Sequence, residues 1–231
     1  MEVVICNDTE KYNIINKRII HENGEVIKYS PNSESKLMYL NFLKNNLDTN
    51  HLAMQIREYR DTNGKHLAHA MIDYVEYEVL AKCLNNKCLD KQYVFLEIWK
   101  VLENLLNNGI VYSDIHHENI LIKSGIDFKL VDLDEVSLEK SVKNIYEMIY
   151  NFVDLLVEAY IYCDTNKMYT YFNTMYNQID VKKHFDKETA EMLKLVYEKD
   201  DEAIKIDVPK LIKSFKDEER NKYITKTIFR R

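Results

Sequence analysis

Over the first third of the chain, apolar residues fall in short alternating runs broken by turn pairs; beyond that they fall at helical spacing. Val3 to Cys6 reads as a first strand. Ile19-Ile20 and Val26-Ile27 flank Asn23-Gly24, and Leu52 to Tyr59 and Leu67 to Ile72 flank Asn63-Gly64, both pairs suited to tight hairpins. Leu52, Met54 and Ile56 alternate with Ala53, Gln55 and Arg57, as a half-buried strand requires. One helix interrupts the strands: Ser30-Pro31-Asn32-Ser33 is a start signal, and Glu34 to about Leu47 carries Leu37, Leu40, Leu43 and Leu47. The first 73 residues therefore read as a small antiparallel sheet with one helix.

After Met71 to Val75 the pattern turns helical. Between Lys91 and Asn108, Phe95, Ile98, Trp99, Leu102, Leu105 and Leu106 share one helix face, and Gly109 suits a left-handed terminal position. Ile120 to Ile122 and Phe128 to Val131 read as two strands joined around Ser124-Gly125. Val142, Ile145, Ile149, Phe152 and Leu156 predict a strongly apolar helix, and polar helices are expected near 165–179, 187–198 and 208–217.

Composition narrows the class. A chain of 231 residues can bury a sizeable core as one large domain or two small lobes. Its net charge of −6 argues against a nucleic-acid surface, despite Lys222, Lys226, Arg230 and Arg231 near the end. Cys6, Cys83, Cys88 and Cys163 lack zinc spacing and read as structural or buried thiols. No apolar run reaches the length of a membrane span, so the sequence points to a cytoplasmic protein without a membrane partner.

The chemistry concentrates in Gly109 to Asp134, GIVYSDIHHENILIKSGIDFKLVDLD. The two strands bring Asp114 to Asn119, and Asp132 to Glu135, to one end of a hairpin. Acids converging there repel one another unless a divalent cation lies between them, and Mg²⁺ favours such hard oxygen ligands. Each residue also has a plainer reading: Asp114 as a turn acid, Asn119 as a bracket for its own loop, Asp132 as a strand-end cap.

Tyr112-Ser113-Asp114-Ile115-His116-His117-Glu118-Asn119 and Asp132-Leu133-Asp134 resemble the catalytic loop and metal-binding segment of the protein-kinase-like superfamily. His116 two residues after the aspartate, and an acid at Asp134, are closer in style to the aminoglycoside, choline and sugar kinases. The resemblance implies an α+β fold of two lobes: an antiparallel-sheet nucleotide lobe over 1–75 with one helix, and a helical lobe over 76–231. It implies ATP and Mg²⁺ as cofactors and a hydroxyl of a small molecule, such as a sugar, amino sugar or amino alcohol, as phosphate acceptor. Asp114 would be the base, with His116 steadying it or meeting the transferred phosphoryl group. Asn119 and Asp132 would hold metal, with Asp134 a further contact. Lys28 would neutralise the inner phosphates, held in place by Glu34 from the helix that follows, and Asp73, Tyr74 and Val75 would face the adenine. His117 and Glu118 read as loop or surface residues. Asn144 falls where the family's central helix usually carries an aspartate that braces the catalytic loop.

The four glycines are taken up by turns and a helix end, leaving Asn7 to Lys11 without one as the loop over the phosphates. Nucleotide binding is then expected either to be weak or to rest mainly on Lys28 and metal. An atypical protein kinase, and a kinase-shaped binding module, are the competing readings.

Overall fold

The computed structural model describes residues 2–7, 18–22, 25–29, 33–46, 50–53, 56–72, 76–84, 89–124, 127–133, 136–161 and 185–215. The fold is α+β, with strands concentrated in the first third and helices dominating from residue 80 onward. The chain divides into two compact units, Met1–Glu78 with Lys129–Asp134, and Val79–Phe128 with Glu135–Arg231.

The first unit contains a five-stranded sheet of β1 (Glu2–Cys6), β2 (Arg18–Glu22), β3 (Glu25–Tyr29), β4 (Ile56–Asp61) and β5 (His66–Ile72), in the order β1-β4-β5-β3-β2. β2 and β3 pair antiparallel up to Glu22 opposite Glu25. The connecting Asn23-Gly24 lies outside the described residues. β4 and β5 form the second expected hairpin, with Gly64 at φ 82° and the Asp61 carboxylate accepting the amides of Asn63 and Lys65, both at 2.8 Å. That Asx-type turn closes the loop without help from elsewhere.

Two expectations fail here. The sheet is mixed, because β1 runs parallel to β4 from Glu2 opposite Arg57 to Cys6 opposite Asp61. A parallel pair needs a long crossover, and β2, β3 and the intervening helix supply it. Leu52 does not begin a strand: it makes a single bridge to Leu130, and both Leu52 and its neighbour Ala53 are buried, so the alternation stops there. β4 begins only at Ile56, and Met54 and Gln55 lie outside the described residues.

The helix α1 (Ser33–Asn46) buries Leu37 and Leu43 and exposes Met38 and Phe42. Within the sheet, Glu58 is fully buried; its Oε1 is paired with Arg60 at 2.7 Å and His66 at 3.1 Å, while its Oε2 has no hydrogen-bond partner among the described residues. Cys6 and Cys83 are partly exposed rather than core residues; Cys88 and Cys163 lie outside the described residues.

In the second unit, a short helix α2 (Leu80–Cys83) precedes α3 (Lys91–Asn107), whose start is capped by the Asp90 side chain accepting the Tyr93 amide at 3.0 Å. Its apolar face lies as the spacing requires, with Phe95, Ile98, Trp99, Leu102 and Leu105 buried. α3 ends at Gly109, φ 85°, where the Ile110 amide reaches back to the Leu105 carbonyl at 2.9 Å. A Cβ at Gly109 would meet nothing within 4 Å. Gly109→Ala is therefore expected to cost only the left-handed backbone term, about 1 kcal/mol, measured as a lowered urea midpoint with unchanged slope.

β7 (Ile120–Ser124) and β8 (Asp127–Leu130) follow, in a three-stranded sheet of order β6-β7-β8 with β6 at Glu78–Val79. The twenty-residue α4 (Val142–Ile161) packs on α3: the Phe152 ring meets Phe95 edge-on at 6.1 Å and Trp99 at 5.2 Å. Ile149, Phe152 and Leu156 are buried as expected, whereas Val142 in the first turn is exposed. Lys91, though charged, is also buried; its ammonium donates to the Ala159 carbonyl at 2.9 Å and stands 5.5 Å above the Tyr160 ring. It thereby ties the start of α3 to the last turns of α4.

Two further helices, α5 (Lys187–Tyr197) and α6 (Val208–Ser214), flank a 3₁₀ turn at Asp201–Lys205, and the Tyr146 hydroxyl donates to the Val196 carbonyl at 2.7 Å. α6 stops short of the expected residue 217 because Phe215 turns extended, with ψ 134°. The helix expected near 165–179 lies outside the described residues. Among the described residues no helix is long and apolar enough to cross a membrane.

Candidate functional site

Three of the sequence-selected residues come together in the loop between α3 and β7. Val111 exchanges two backbone hydrogen bonds of 2.8 Å with Ser137, and Ile110, Val111 and Tyr112 are fully buried. This buried run ends at Asp114, whose side chain is 44% exposed while the chain on either side is held. Asn119 folds the loop back: its amide nitrogen donates to both the carbonyl and the Oδ2 of Asp114, each at 2.9 Å. The bracket reading of Asn119 is thus realised, and it points the Oδ1 of Asn119 away from Asp114.

His116 lies beside them. Its Nδ1 accepts the Glu118 amide at 3.3 Å, which leaves the ring proton on Nε2, 3.7 Å from Asp114 Oδ1. That distance exceeds a hydrogen bond but suits a charge pair when the imidazole is protonated. Both side chains are accessible, so the pair can meet a ligand.

The structure corrects the reading of His117. It is no surface residue: it is 8% exposed, and its Nδ1 lies 3.2 Å from Glu158 Oε2 on α4. Glu118 is exposed, as expected. Asn144 does not brace the loop; its amide donates to Ser137 Oγ at 3.2 Å and to the Glu139 carbonyl at 2.9 Å. Asn151, two turns further along α4, donates to the Ser113 carbonyl at 2.6 Å instead.

These residues line an open cleft of about 370 Å³, with Asp114 to Glu118 on one side and Asn151, Asp154, Leu155 and Glu158 of α4 on the other. Asp154 is its most perturbed group. Burial, then the neighbouring Glu158 carboxylate, pushes its carboxyl up to about 7, against a smaller opposing effect of His117. Its Oδ1 is buried with no hydrogen-bond partner. Asp154 in turn adds to the burial that pushes the Tyr150 phenol up to about 12. A sequence signal for this wall existed: Glu147, Asn151, Asp154 and Glu158 recur every three or four residues through an otherwise apolar helix.

The remaining sequence-selected residues belong to the first unit. Lys28 stands in β3 opposite His69, and Glu34 in the first turn of α1. Asp132 takes a left-handed backbone, φ 57°, a conformation that costs an aspartate energy and is concentrated at functional sites. Asp73, Tyr74, Val75 and Asp134, and the loop from Asp8 to Lys11, lie outside the described residues.

Among the described residues no three histidine, cysteine, aspartate or glutamate side chains converge to hold a metal by themselves. The donors at hand, an asparagine oxygen and single carboxylates, suit Mg²⁺, which commonly takes one or two protein ligands and completes its shell with phosphate and water. The sequence matches no protein-family model and no curated protein.

Proposed function

We propose that this chain is an ATP- and Mg²⁺-dependent phosphotransferase of two-lobed, kinase-like build that phosphorylates a hydroxyl of a small, amine-bearing molecule. The observation that carries this reading is the shared cavity: Asp114, accessible and held from two sides, faces the same space as the buried, unpartnered carboxyl of Asp154. A base for a hydroxyl and an acid for an ammonium group in one cleft describe an amino alcohol or amino sugar better than a neutral sugar.

In this mechanism Asp114 orients the acceptor hydroxyl and accepts its proton. His116, its Nε2 proton directed to the same side as Asp114, offsets charge as it develops on the transferred group. Asn119 and Asp132 would hold the metal, with Asp134 a further ligand, while Lys28, supported by Glu34, would meet the inner phosphates and the segment Asp73 to Val75 the adenine. When bound, Mg²⁺ supplies charge neutralisation across the phosphates. Asp154 pairs with the ammonium group of the acceptor. Glu158, engaged by His117, is left out of that contact.

The test is phosphoryl transfer from labelled ATP and Mg²⁺ to amino alcohols and amino sugars, each beside its neutral hydroxyl counterpart. Amine-bearing acceptors are expected to be preferred by roughly tenfold to a hundredfold, as for a charged hydrogen bond, and Asp154→Asn to erase the preference. Label entering proteins but no small molecule would assign the chain to an atypical protein kinase. No transfer, and no Mg²⁺-dependent thermal shift with millimolar ATP, would leave only a binding module.

A further inference from the structure

The loop bearing Asp114 is held by two sets of hydrogen bonds. Its local hydrogen bonds, Asn119 to Asp114, the Asn119 amide to the His116 carbonyl and the Glu118 amide to His116 Nδ1, close the turn upon itself. They do not tie it to the helix that forms the opposite wall of the cavity. Two contacts with α4 do: Asn151 to the Ser113 carbonyl at 2.6 Å, and His117 Nδ1 to Glu158 Oε2 at 3.2 Å. Asn151 and Glu158 are seven residues apart, two helical turns on one face, so they grip the loop just before Asp114 and just before Asn119. Asp154 lies between them along the same face.

The second grip is a shielded one. The side chains of His117 and Glu158 are only 10% and 12% exposed, so water competes poorly for either partner. Glu158 can only accept when ionised, which makes His117 Nδ1 the donor and sets its tautomer.

We propose that the His117–Glu158 pair is a latch that positions the catalytic loop, with both acting as positioning residues through Asp114 and Asn119 rather than on the substrate. The latch itself follows from the geometry; its effect on turnover rests on the phosphotransferase reading. Breaking it frees one end of the turn, so Asp114 and Asn119, still joined to each other, lose their fixed position against Asp154 on the facing helix. Such loosening lowers the rate more than it weakens binding, since a misplacement of about 1 Å far from the chemistry is enough to be costly.

Two readouts on the full chain test this. Hydrogen exchange over residues 113–119 in the unliganded protein reads the latch directly, and kcat against acceptor KM reads its consequence. His117→Ala and Glu158→Ala are each expected to speed exchange in that segment, and to lower kcat, by about tenfold or more. The double variant should be no worse than either single one. His117→Asn, which keeps a donor near the Nδ1 position, and Glu158→Gln, which keeps the acceptor oxygen, should hold exchange near the parent value. Both conservative variants should likewise keep kcat near the parent value. Unchanged exchange in both alanine variants, or additive effects in the double variant, would overturn the latch. Faster exchange with unchanged kcat would overturn its role in positioning. If the parent protein transfers phosphate to no acceptor, water included, the phosphotransferase reading falls, and exchange alone decides the latch.

Discussion

Asp114→Asn is expected to lower phosphoryl transfer by roughly 10²- to 10⁴-fold while leaving Mg²⁺-dependent ATP binding in place. The substitution is nearly isosteric. The asparagine oxygen can still accept from the Asn119 amide, whose 2.9 Å bond to Oδ2 fixes the side chain in the parent protein. The other end, now an amide nitrogen, can donate to the acceptor hydroxyl but cannot take its proton. With the Asp114 side chain 44% exposed, no buried charge is created or removed, and stability should stay within about 0.5 kcal/mol. The loss should therefore appear in kcat, measured with saturating ATP and acceptor, with the thermal shift by Mg·ATP preserved. Turnover equal to that of the parent protein would remove Asp114 from the role of base.

The second large effect is on stability and depends on pH. In the folded chain the Asp154 carboxyl titrates near 7, raised from 3.8 by burial first and by Glu158 second. Below both values the group is protonated in folded and unfolded chains alike and contributes nothing. Between them the folded chain holds a proton that the unfolded chain has released, so stability falls as pH rises, and above about 7 the full penalty is present. The penalty is on the order of a few kcal/mol. Asp154→Asn carries no such charge, and its urea-unfolding free energy should exceed the parent's at pH 8, the gap closing towards pH 4. The difference between the two profiles isolates Asp154 from every other titrating group. Parallel profiles would show that the folded environment does not disfavour the ionised carboxylate. An acid that destabilises the empty protein at neutral pH makes sense where a ligand cation repays the cost.

Much of this was legible in the sequence, and the legible parts share a cause. The α3 stripe, the stop at Gly109, the Asn63-Gly64 hairpin and the bracket of Asn119 on Asp114 each depend on residues within a few positions of one another. The α4 face was legible where it is apolar, at Ile149, Phe152 and Leu156. Its polar notch carried a readable spacing as well, yet a stripe of Asn151, Asp154 and Glu158 is equally what a solvated helix face shows. His117 was misread for the same reason, since a histidine beside another histidine in a loop carries no mark of burial.

From sequence alone, then, came the succession of elements and the local turn that sets Asp114 against Asn119, because backbone preference, periodicity and neighbouring side chains act over a few residues. The tertiary structure alone decided that β1 joins β4 in parallel, that His117 is buried against Glu158, and that Asn151 rather than Asn144 holds the loop. Each of these pairs residues 38 to 55 positions apart, Asn144's local bonds aside, and is set by which surfaces the packed helices and strands bury. No spacing along the chain encodes that choice; the packing makes it.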